Sequence, residues 1–233
     1  MSVVSAQLIS PDNRAYVAWG RRRADIRRME RVTPPKRNMG EKLGWIAECA
    51  ARHHLSSLIS LQEQRIMQWQ VLNDESSRIS TRYREIDAIV PLQEGFIFYE
   101  IKLTTEHRMM SAHGLTQLRA ATKTYREGNS KDIPILLRLV YIADTPVQVL
   151  NGKISTVPVD DLSTSKGVIW ITPDQIEAAA SHLGLELPSN WFSAEARNMP
   201  EDIPDTYSQT ENFLESPFVV AFRSAKSRKE LKQ

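Results

Sequence analysis

Three charged residues interrupt strongly apolar segments in the middle of the chain. The segment 96–103, FIFYEIKL, contains Glu100 and Lys102, and the segment 82–90, RYREIDAIV, contains Asp87. Side chains two residues apart on a strand project from the same face, and burying a charge is unfavourable unless it is paired or binds a charged partner. If the two segments are antiparallel neighbours, Asp87 and Glu100 converge at one end of a sheet. An ordinary buried ion pair is the alternative interpretation.

A further carboxylate is predicted on a helix upstream. The helix predicted over 40–58 places Glu48 on one face with small and apolar residues, namely Gly44, Ala51 and Leu55. Glu48 is therefore expected on the packed side of this helix, with Glu41, one heptad earlier, as the second candidate. The alternative is a partly exposed helical glutamate without a special role.

These residue types together suggest metal-dependent chemistry on phosphate. Mg²⁺ prefers oxygen ligands, and it binds through one or two carboxylates together with phosphate and water. Asp87 and Glu100 supply two carboxylates, and the carbonyl of Ile101 can supply another oxygen. Lys102 would then lie where it can orient or help deprotonate an attacking water and stabilise charge that develops on phosphate.

The elements that must position these residues follow from the hydrophobic pattern. Periodicity and turn signals predict two strands over 65–72 and 82–90, a third over 96–103, a helix over 115–126, a strand over 133–142, a hairpin over 147–157, a strand over 168–171 and a helix from Thr172 to Leu183. With the first helix, the order α-β-β-β-α-β indicates an α/β fold whose central mixed sheet is flanked by helices.

Charge is distributed unevenly along the 233 residues. Residues 1–40 contain nine Lys or Arg against three acidic residues, which predicts a basic N-terminal arm over 1–37 that binds phosphates through its clustered arginines, Arg21, Arg22, Arg23, Arg27 and Arg28. A merely solvated arm is the alternative. Residues 38–187 form the predicted core, and 188–233 form a Pro-rich extension that is first acidic and then basic.

Composition excludes several classes of protein. Cys49 is the single cysteine, so neither an intramolecular disulfide nor a cysteine-based zinc cluster is possible. The chain contains no nucleotide-binding glycine motif, no signal peptide and no apolar run that could span a membrane. We therefore expect a soluble, cytoplasmic, prokaryotic protein without membrane partners, although delivery into another cell stays open.

Four segments together resemble the PD-(D/E)XK phosphodiesterase superfamily, and most of all its Holliday-junction-resolvase-like branch. They lie between about 40 and 142 and read GWIAECAARHHL, REIDAIV, FYEIKLT and LTQLRAA. The resemblance implies a restriction-endonuclease-like core, metal binding by Asp87 and Glu100 with Glu48 completing the site, assistance to water by Lys102, and a contribution from Gln117. Ile86 precedes Asp87 where the motif has proline, and the segment after about 150 matches nothing in this family.

The sequence thus predicts a nuclease that depends on Mg²⁺ or Mn²⁺ and cleaves nucleic acid, with DNA expected as the substrate of an endonuclease. Repair or recombination, restriction or phage defence, and action as an antibacterial toxin all remain open as its biological role. The alternative is a non-catalytic nucleic-acid-binding module that retains the nuclease fold; a third possibility is a structural protein whose buried charges pair only with each other. Because resolvase-like proteins are often dimers, a homodimer is plausible, and no particular protein partner is predicted.

Overall fold

A computed structural model describes residues 2–29, 39–103, 113–129, 132–144, 156–161, 163–164, 166–193 and 196. Within them the chain forms two sheets and four helices. In chain order the elements are β1 (Ser2–Ile9), α1 (Arg14–Met29), α2 (Met39–Leu58), β2 (Ile66–Asn73), β3 (Arg78–Glu85), β4 (Ala88–Leu92), β5 (Gly95–Leu103), α3 (His113–Glu127), β6 (Ile135–Ile142), β7 (Lys166–Ile171) and α4 (Pro173–His182).

The mixed sheet has the strand order β4-β5-β6-β7, in which β4 is antiparallel to β5 and the other neighbours are parallel. Its central strands are apolar on both faces because helices cover both. Ile97, Tyr99 and Ile101 of β5 pack with α2 and α4 on one face, and Phe98 packs with Leu115 of α3 on the other. The predicted α/β fold with a mixed sheet flanked by helices is confirmed.

The second sheet is antiparallel, with the order β1-β2-β3. It corrects the single strand predicted over 82–90, because β3 ends at Glu85 and β4, which begins at Ala88, belongs to the mixed sheet. Between them the backbone N–H of Ile86 still donates to the carbonyl of Arg65 at 3.0 Å, in register with the β2–β3 ladder, and the chain passes to the mixed sheet at the next residue. The observed β4 also extends two residues beyond the predicted end, through Pro91 to Leu92, because it is an edge strand, where proline is tolerated.

Residues 2–29 of the predicted basic arm contain a strand and a helix. β1 pairs with β2 from Ser2 opposite Leu72 to Ile9 opposite Ile66. α1 then packs on the same sheet through Tyr16, whose ring centroid lies 5.7 Å from that of Tyr83 on β3. Residues 30–38 lie outside the described residues. The segment therefore contributes an edge strand and a covering helix to the fold.

The remaining elements match their sequence signals where the structure describes them. Thr172 caps α4 in the predicted capping box with Gln175. Most of the hairpin predicted over 147–157 lies outside the described residues, as does 197–233 of the predicted C-terminal extension. Trp191, in the part of that extension that is described, is buried in the core, and its indole N–H donates to Glu177 at 2.8 Å. None of the described helices combines the length and the apolarity that crossing a membrane requires.

Candidate active site

The two predicted carboxylates meet at the end of the β4–β5 pair. Ala88 is opposite Tyr99 in the antiparallel register, so the next position places Asp87 across from Glu100. The Oδ2 atom of Asp87 accepts a hydrogen bond from the backbone N–H of Ile101 at 2.6 Å. In an extended strand the N–H and C=O of one residue face the same neighbour. The carbonyl of Ile101 therefore faces the same side of the strand as Asp87. This orientation is needed if that carbonyl is to be a metal ligand together with Asp87, as the sequence predicts.

The environment of Asp87 strongly disfavours its ionised form. Burial, followed by the nearby charges of Glu48 and Glu100, raises the pKa of Asp87 to about 8, while the Ile101 hydrogen bond and the charge of Lys102 act in the opposite direction. Desolvation and like charges both favour the neutral carboxyl group. Three carboxylates from a helix and two strand ends thus interact at one place.

Lys102 is paired with Glu100 on the strand face that the sequence predicted. Its Nζ atom donates a hydrogen bond to Oε1 of Glu100, and the Lys102 side chain is 36% exposed against 13% for Glu100. Gly114, in the first turn of α3, packs directly against this pair: a Cβ atom there would lie 3.3 Å from Cγ of Glu100 and 3.6 Å from Cε of Lys102. A glycine at this position lets the helix approach the two charged side chains closely.

Glu48 is close enough to this site for its charge to raise the pKa of Asp87. On α2 it accepts a hydrogen bond from Nη2 of Arg52 at 2.6 Å, and its side chain remains 30% exposed. Burial raises the pKa of Glu48, and the Arg52 charge opposes that rise. The side chain of Glu41, the second candidate on this helix, lies outside the described residues.

A small cavity of about 100 Å³ opens beside the carboxylates and is lined in part by Asp87, Glu100 and Gln117. The Oε1 atom of Gln117 is buried there and has no hydrogen-bond partner among the residues that the structure describes. Such an atom is unfavourable unless a ligand or water completes its hydrogen bonding. α3 thus brings the predicted glutamine to the same cavity as the two carboxylates.

Sequence reasoning missed Arg84, which lines the same cavity. Its Nη1 atom donates to the backbone carbonyl of Gln117 at 3.2 Å. Arg84 lies three residues before Asp87 in the REID segment, but an arginine on an edge strand is ordinarily a solvated residue. Only the packing of the antiparallel sheet on α3 brings it to the site. The lining of this cavity therefore contains a positively charged side chain as well as the carboxylates.

The sequence also missed a charged cluster next to this cavity. Arg52 and Arg65 are both 4% exposed, and Arg65 donates to Glu85 as Arg52 does to Glu48. Arg52 follows Glu48 by four residues, a spacing that is common on exposed helix surfaces, and the partner of Arg65 is on a different strand. The pairs become visible only when α2 packs beside the ends of β2 and β3.

The predicted nucleic-acid-binding arginines are found on α1. Arg21, Arg22 and Arg23 are exposed, and the guanidinium of Arg23 lies 5.1 Å from the centre of the Trp19 ring. The side chains of Arg27 and Arg28 lie outside the described residues. The described part of α1 thus presents a cationic surface on the outer side of the antiparallel sheet.

The oxygen atoms at this site suit a hard cation that binds partly through protein side chains and partly through water and substrate. Among the described residues, no group of three or more His, Cys, Asp or Glu side chains is arranged to hold a metal ion. Mg²⁺ commonly binds through one or two carboxylates and completes its coordination with water and substrate. The repelling pair of Asp87 and Glu100, with the unpartnered oxygen of Gln117 nearby, fits this mode of binding.

Comparison with known proteins gave no relative: no protein-family model matches the chain, and neither a curated protein nor a solved structure matches it.

Proposed function

We propose that the protein is a divalent-metal-dependent endonuclease of the PD-(D/E)XK type, with a restriction-endonuclease-like core, that hydrolyses phosphodiester bonds in DNA. The observation that most supports this function is the meeting of Asp87 with Glu100 across β4 and β5, with Lys102 bonded to Glu100. The raised pKa of Asp87 adds support, because a site that repels its own carboxylates is suited to a cation.

In this proposal Asp87, Glu100 and the Ile101 carbonyl hold Mg²⁺ or Mn²⁺, and Glu48 supports them from α2. When bound, the cation supplies positive charge for the phosphate and a water of lowered pKa. The hydrogen bond from Ile101 fixes one oxygen of Asp87 and leaves its other oxygen for the site.

Lys102 and Gln117 act on the attacking water and the phosphate. The Lys102 side chain is exposed enough to exchange its bond to Glu100 for a bond to substrate, and its charge opposes the negative charge that develops on phosphate. The unpartnered Oε1 of Gln117 can accept a hydrogen bond from the water and so orient it. Arg84 adds a positive charge to the same cavity.

The test is cleavage of plasmid, linear, single-stranded, branched and RNA substrates in Mg²⁺ or Mn²⁺ and in EDTA. We expect metal-dependent cleavage of DNA that Asp87→Asn abolishes. The matched control is Asp144→Asn, which changes an exposed aspartate at the end of β6 and should cleave like the wild type. Cleavage that persists in EDTA, or in purified Asp87→Asn, would contradict the proposal.

A non-catalytic nucleic-acid-binding module is the second candidate, and one observation favours it. The direct bond between Lys102 and Glu100 is also what a purely structural ion pair would form. A binding module predicts DNA binding without cleavage under every metal condition. If the ion pair is purely structural, Lys102→Ala should lose roughly 3–5 kcal/mol of stability, because a carboxylate is left unpaired. Measuring the melting temperature and the cleavage rate of this variant together separates the two functions.

A further inference from the structure

A second cavity, of about 230 Å³, lies beside the candidate active site in the described part of the chain. We call it the Arg52–Arg65 cavity. α1 and α2 form two of its walls, and the chain just before β2 and at the end of β3 closes it. Glu85 lines this cavity and the smaller one that contains Asp87 and Glu100. The two cavities are therefore neighbours that share a wall.

The inner wall of the Arg52–Arg65 cavity is built from two ion pairs. Arg52 donates to Glu48 and Arg65 donates to Glu85, and both arginines are almost wholly buried. The glutamates are more open, with 30% and 41% of their side chains exposed. Buried ion pairs seldom stabilise a fold better than apolar side chains of the same size would. Their presence here therefore suggests a polar ligand that uses both donors and acceptors.

The other walls are aromatic and apolar. Tyr16 and Val17 of α1 and Trp45 of α2 line them. Burial and the neighbouring Glu85 raise the pKa of Tyr16 to about 12, and burial raises the pKa of Cys49, which also lines the cavity, to about 12. The phenol and the thiol therefore both remain protonated at neutral pH. A neutral thiol is a poor nucleophile, which favours binding over covalent chemistry in this cavity.

A nucleobase has the chemistry that these walls would recognise. Proteins bind unpaired bases by stacking them on aromatic side chains and by hydrogen bonding to their polar edges. Arginine and glutamate are complementary to the acceptors and donors of those edges. A cavity of about 150 Å³ already admits a benzene ring, so the Arg52–Arg65 cavity has room for a larger planar ring.

The position of the cavity indicates where its nucleotide would lie relative to the candidate active site. Glu48 lines this cavity, and Glu85 lines both this cavity and the one that contains Asp87 and Glu100. We propose that the Arg52–Arg65 cavity binds the base of one unpaired nucleotide next to the phosphate held at Asp87 and Glu100. The protein would then select DNA that contains unpaired nucleotides over fully paired duplex. This inference rests on the proposed function for the identity of that phosphate.

The test fills the cavity without changing a charged group. Gly20 lines it from α1, so Gly20→Leu adds a side chain there and also replaces glycine by a better helix former. The control is Gly44→Leu on α2, at a position outside the cavity lining where an added Cβ meets no atom within 4 Å. Should Gly20→Leu fail to fold, Val17→Phe fills the cavity from the same helix.

Three labelled DNA duplexes serve as probes: one fully paired, one with a single unpaired nucleotide, and one with an abasic residue at that position. Binding is measured by fluorescence anisotropy with Ca²⁺ in place of Mg²⁺, so that it does not depend on cleavage. We expect the wild type and Gly44→Leu to bind the unpaired nucleotide about tenfold more tightly than the abasic residue. Gly20→Leu should bind the two equally.

Equal binding of the unpaired and abasic probes by the wild type would overturn this inference, as would an unchanged preference in Gly20→Leu. Cleavage of the same probes in Mg²⁺ tests the proposed function separately. If the wild type cuts paired DNA as well as DNA with an unpaired nucleotide, the proposed nuclease function stands and the proposed base binding is refuted. If the protein never cuts but prefers the unpaired nucleotide, and Gly20→Leu removes that preference, the proposed base binding stands and the proposed nuclease function is refuted.

Discussion

Replacing Asp87 by asparagine should make the protein more stable at neutral pH, although it removes a residue of the proposed site. Asparagine has nearly the same shape, and its side-chain oxygen can still accept the hydrogen bond from the Ile101 N–H. What disappears is a carboxyl group whose ionisation the folded protein resists, because burial and the charges of Glu48 and Glu100 act against it.

The direction of the pH effect follows from the raised pKa. Below about pH 4 the carboxyl of Asp87 is protonated in both the folded and the unfolded chain, so it favours neither. Between pH 4 and 8 the unfolded chain ionises this group while the folded chain largely retains the proton. The folded state then binds more protons, so the stability of the wild type is expected to fall as pH rises through this window and to level off above it.

The magnitude comes from the same shift. The pKa rises from 3.8 to about 8, and one pKa unit corresponds to about 1.36 kcal/mol. At pH 7 the wild type should therefore be less stable than Asp87→Asn by on the order of 4 kcal/mol, whereas near pH 4 the two proteins should be equally stable. For a chain of this size such a difference corresponds to a rise in melting temperature of roughly 10 °C.

Urea unfolding at several pH values between 4.5 and 8.5, with EDTA present, measures this effect. The control is Asp144→Asn, since Asp144 is exposed and the variant should follow the pH profile of the wild type. A wild type whose stability does not fall across this range, or an Asp87→Asn variant that loses stability with pH as the wild type does, would refute the reasoning.

Four further predictions concern the site and its surface. Mn²⁺ should raise the melting temperature of the wild type more at pH 8.5 than at pH 6, because the proton on Asp87 must leave before a metal binds. Calorimetry of Asp87→Asn should show no rise in melting temperature with Mn²⁺ at either pH. Lys102→Ala should remain folded and bind Mn²⁺ but cut DNA at least about a hundredfold more slowly in a gel assay, whereas Lys123→Ala, at an exposed position on α3, should cut normally. Gly114→Ala places a Cβ 3.0 Å from Leu139 and 3.3 Å from Glu100, so single-turnover cleavage should slow by about tenfold with little change in melting temperature. Serine at all three positions Arg21–Arg23 should reduce the slope of log binding constant against log salt by about 0.9 for each lost phosphate contact; an unchanged slope would reject a role for α1 in DNA binding.

The core of the candidate site could be predicted because its geometry is local. A turn at Gln93 and Glu94 joins β4 to β5, so two apolar segments that are adjacent in sequence became antiparallel neighbours. Once they pair, the alternation of side chains along each strand determines that Asp87 and Glu100 face each other. The bounds predicted for α2 and β5, 40–58 and 96–103, followed from the same short-range signals and lie within one residue of the observed bounds.

The division into two sheets could not be predicted, because it depends on contacts that are distant in sequence. β1 pairs with β2 across about sixty residues, and its alternation of small, polar and apolar residues resembles that of a solvated segment. The break between β3 and β4 falls inside a run of residues with continuous strand character. Ile86 is still bonded to Arg65 beside β2, whereas Asp87 bonds to Ile101 and Ala88 pairs with Tyr99 of β5, so the chain changes sheets without any change in strand character.

Arg84 and the two buried ion pairs escaped prediction for a related reason. An arginine has high exposure in most contexts, so its type alone suggests solvent. Arg65 is buried because α1, α2 and the end of β3 enclose it, and Arg84 lines the cavity because α3 packs on the antiparallel sheet. Such residues are recognised only after the tertiary arrangement is known.

The connection between β3 and β4 has a consequence for which changes in chain length the protein can tolerate. Only Ile86 and Asp87 separate the two strands, and both are bonded to other parts of the chain. Adding or deleting one residue here would prevent these two bonds from forming together, because β3 is held in register with β2 and β4 is held in register with β5. The exposed turn at 74–77, between β2 and β3, has no such restriction. Related sequences should therefore differ in length at that turn while keeping the spacing from Glu85 to Ala88 constant.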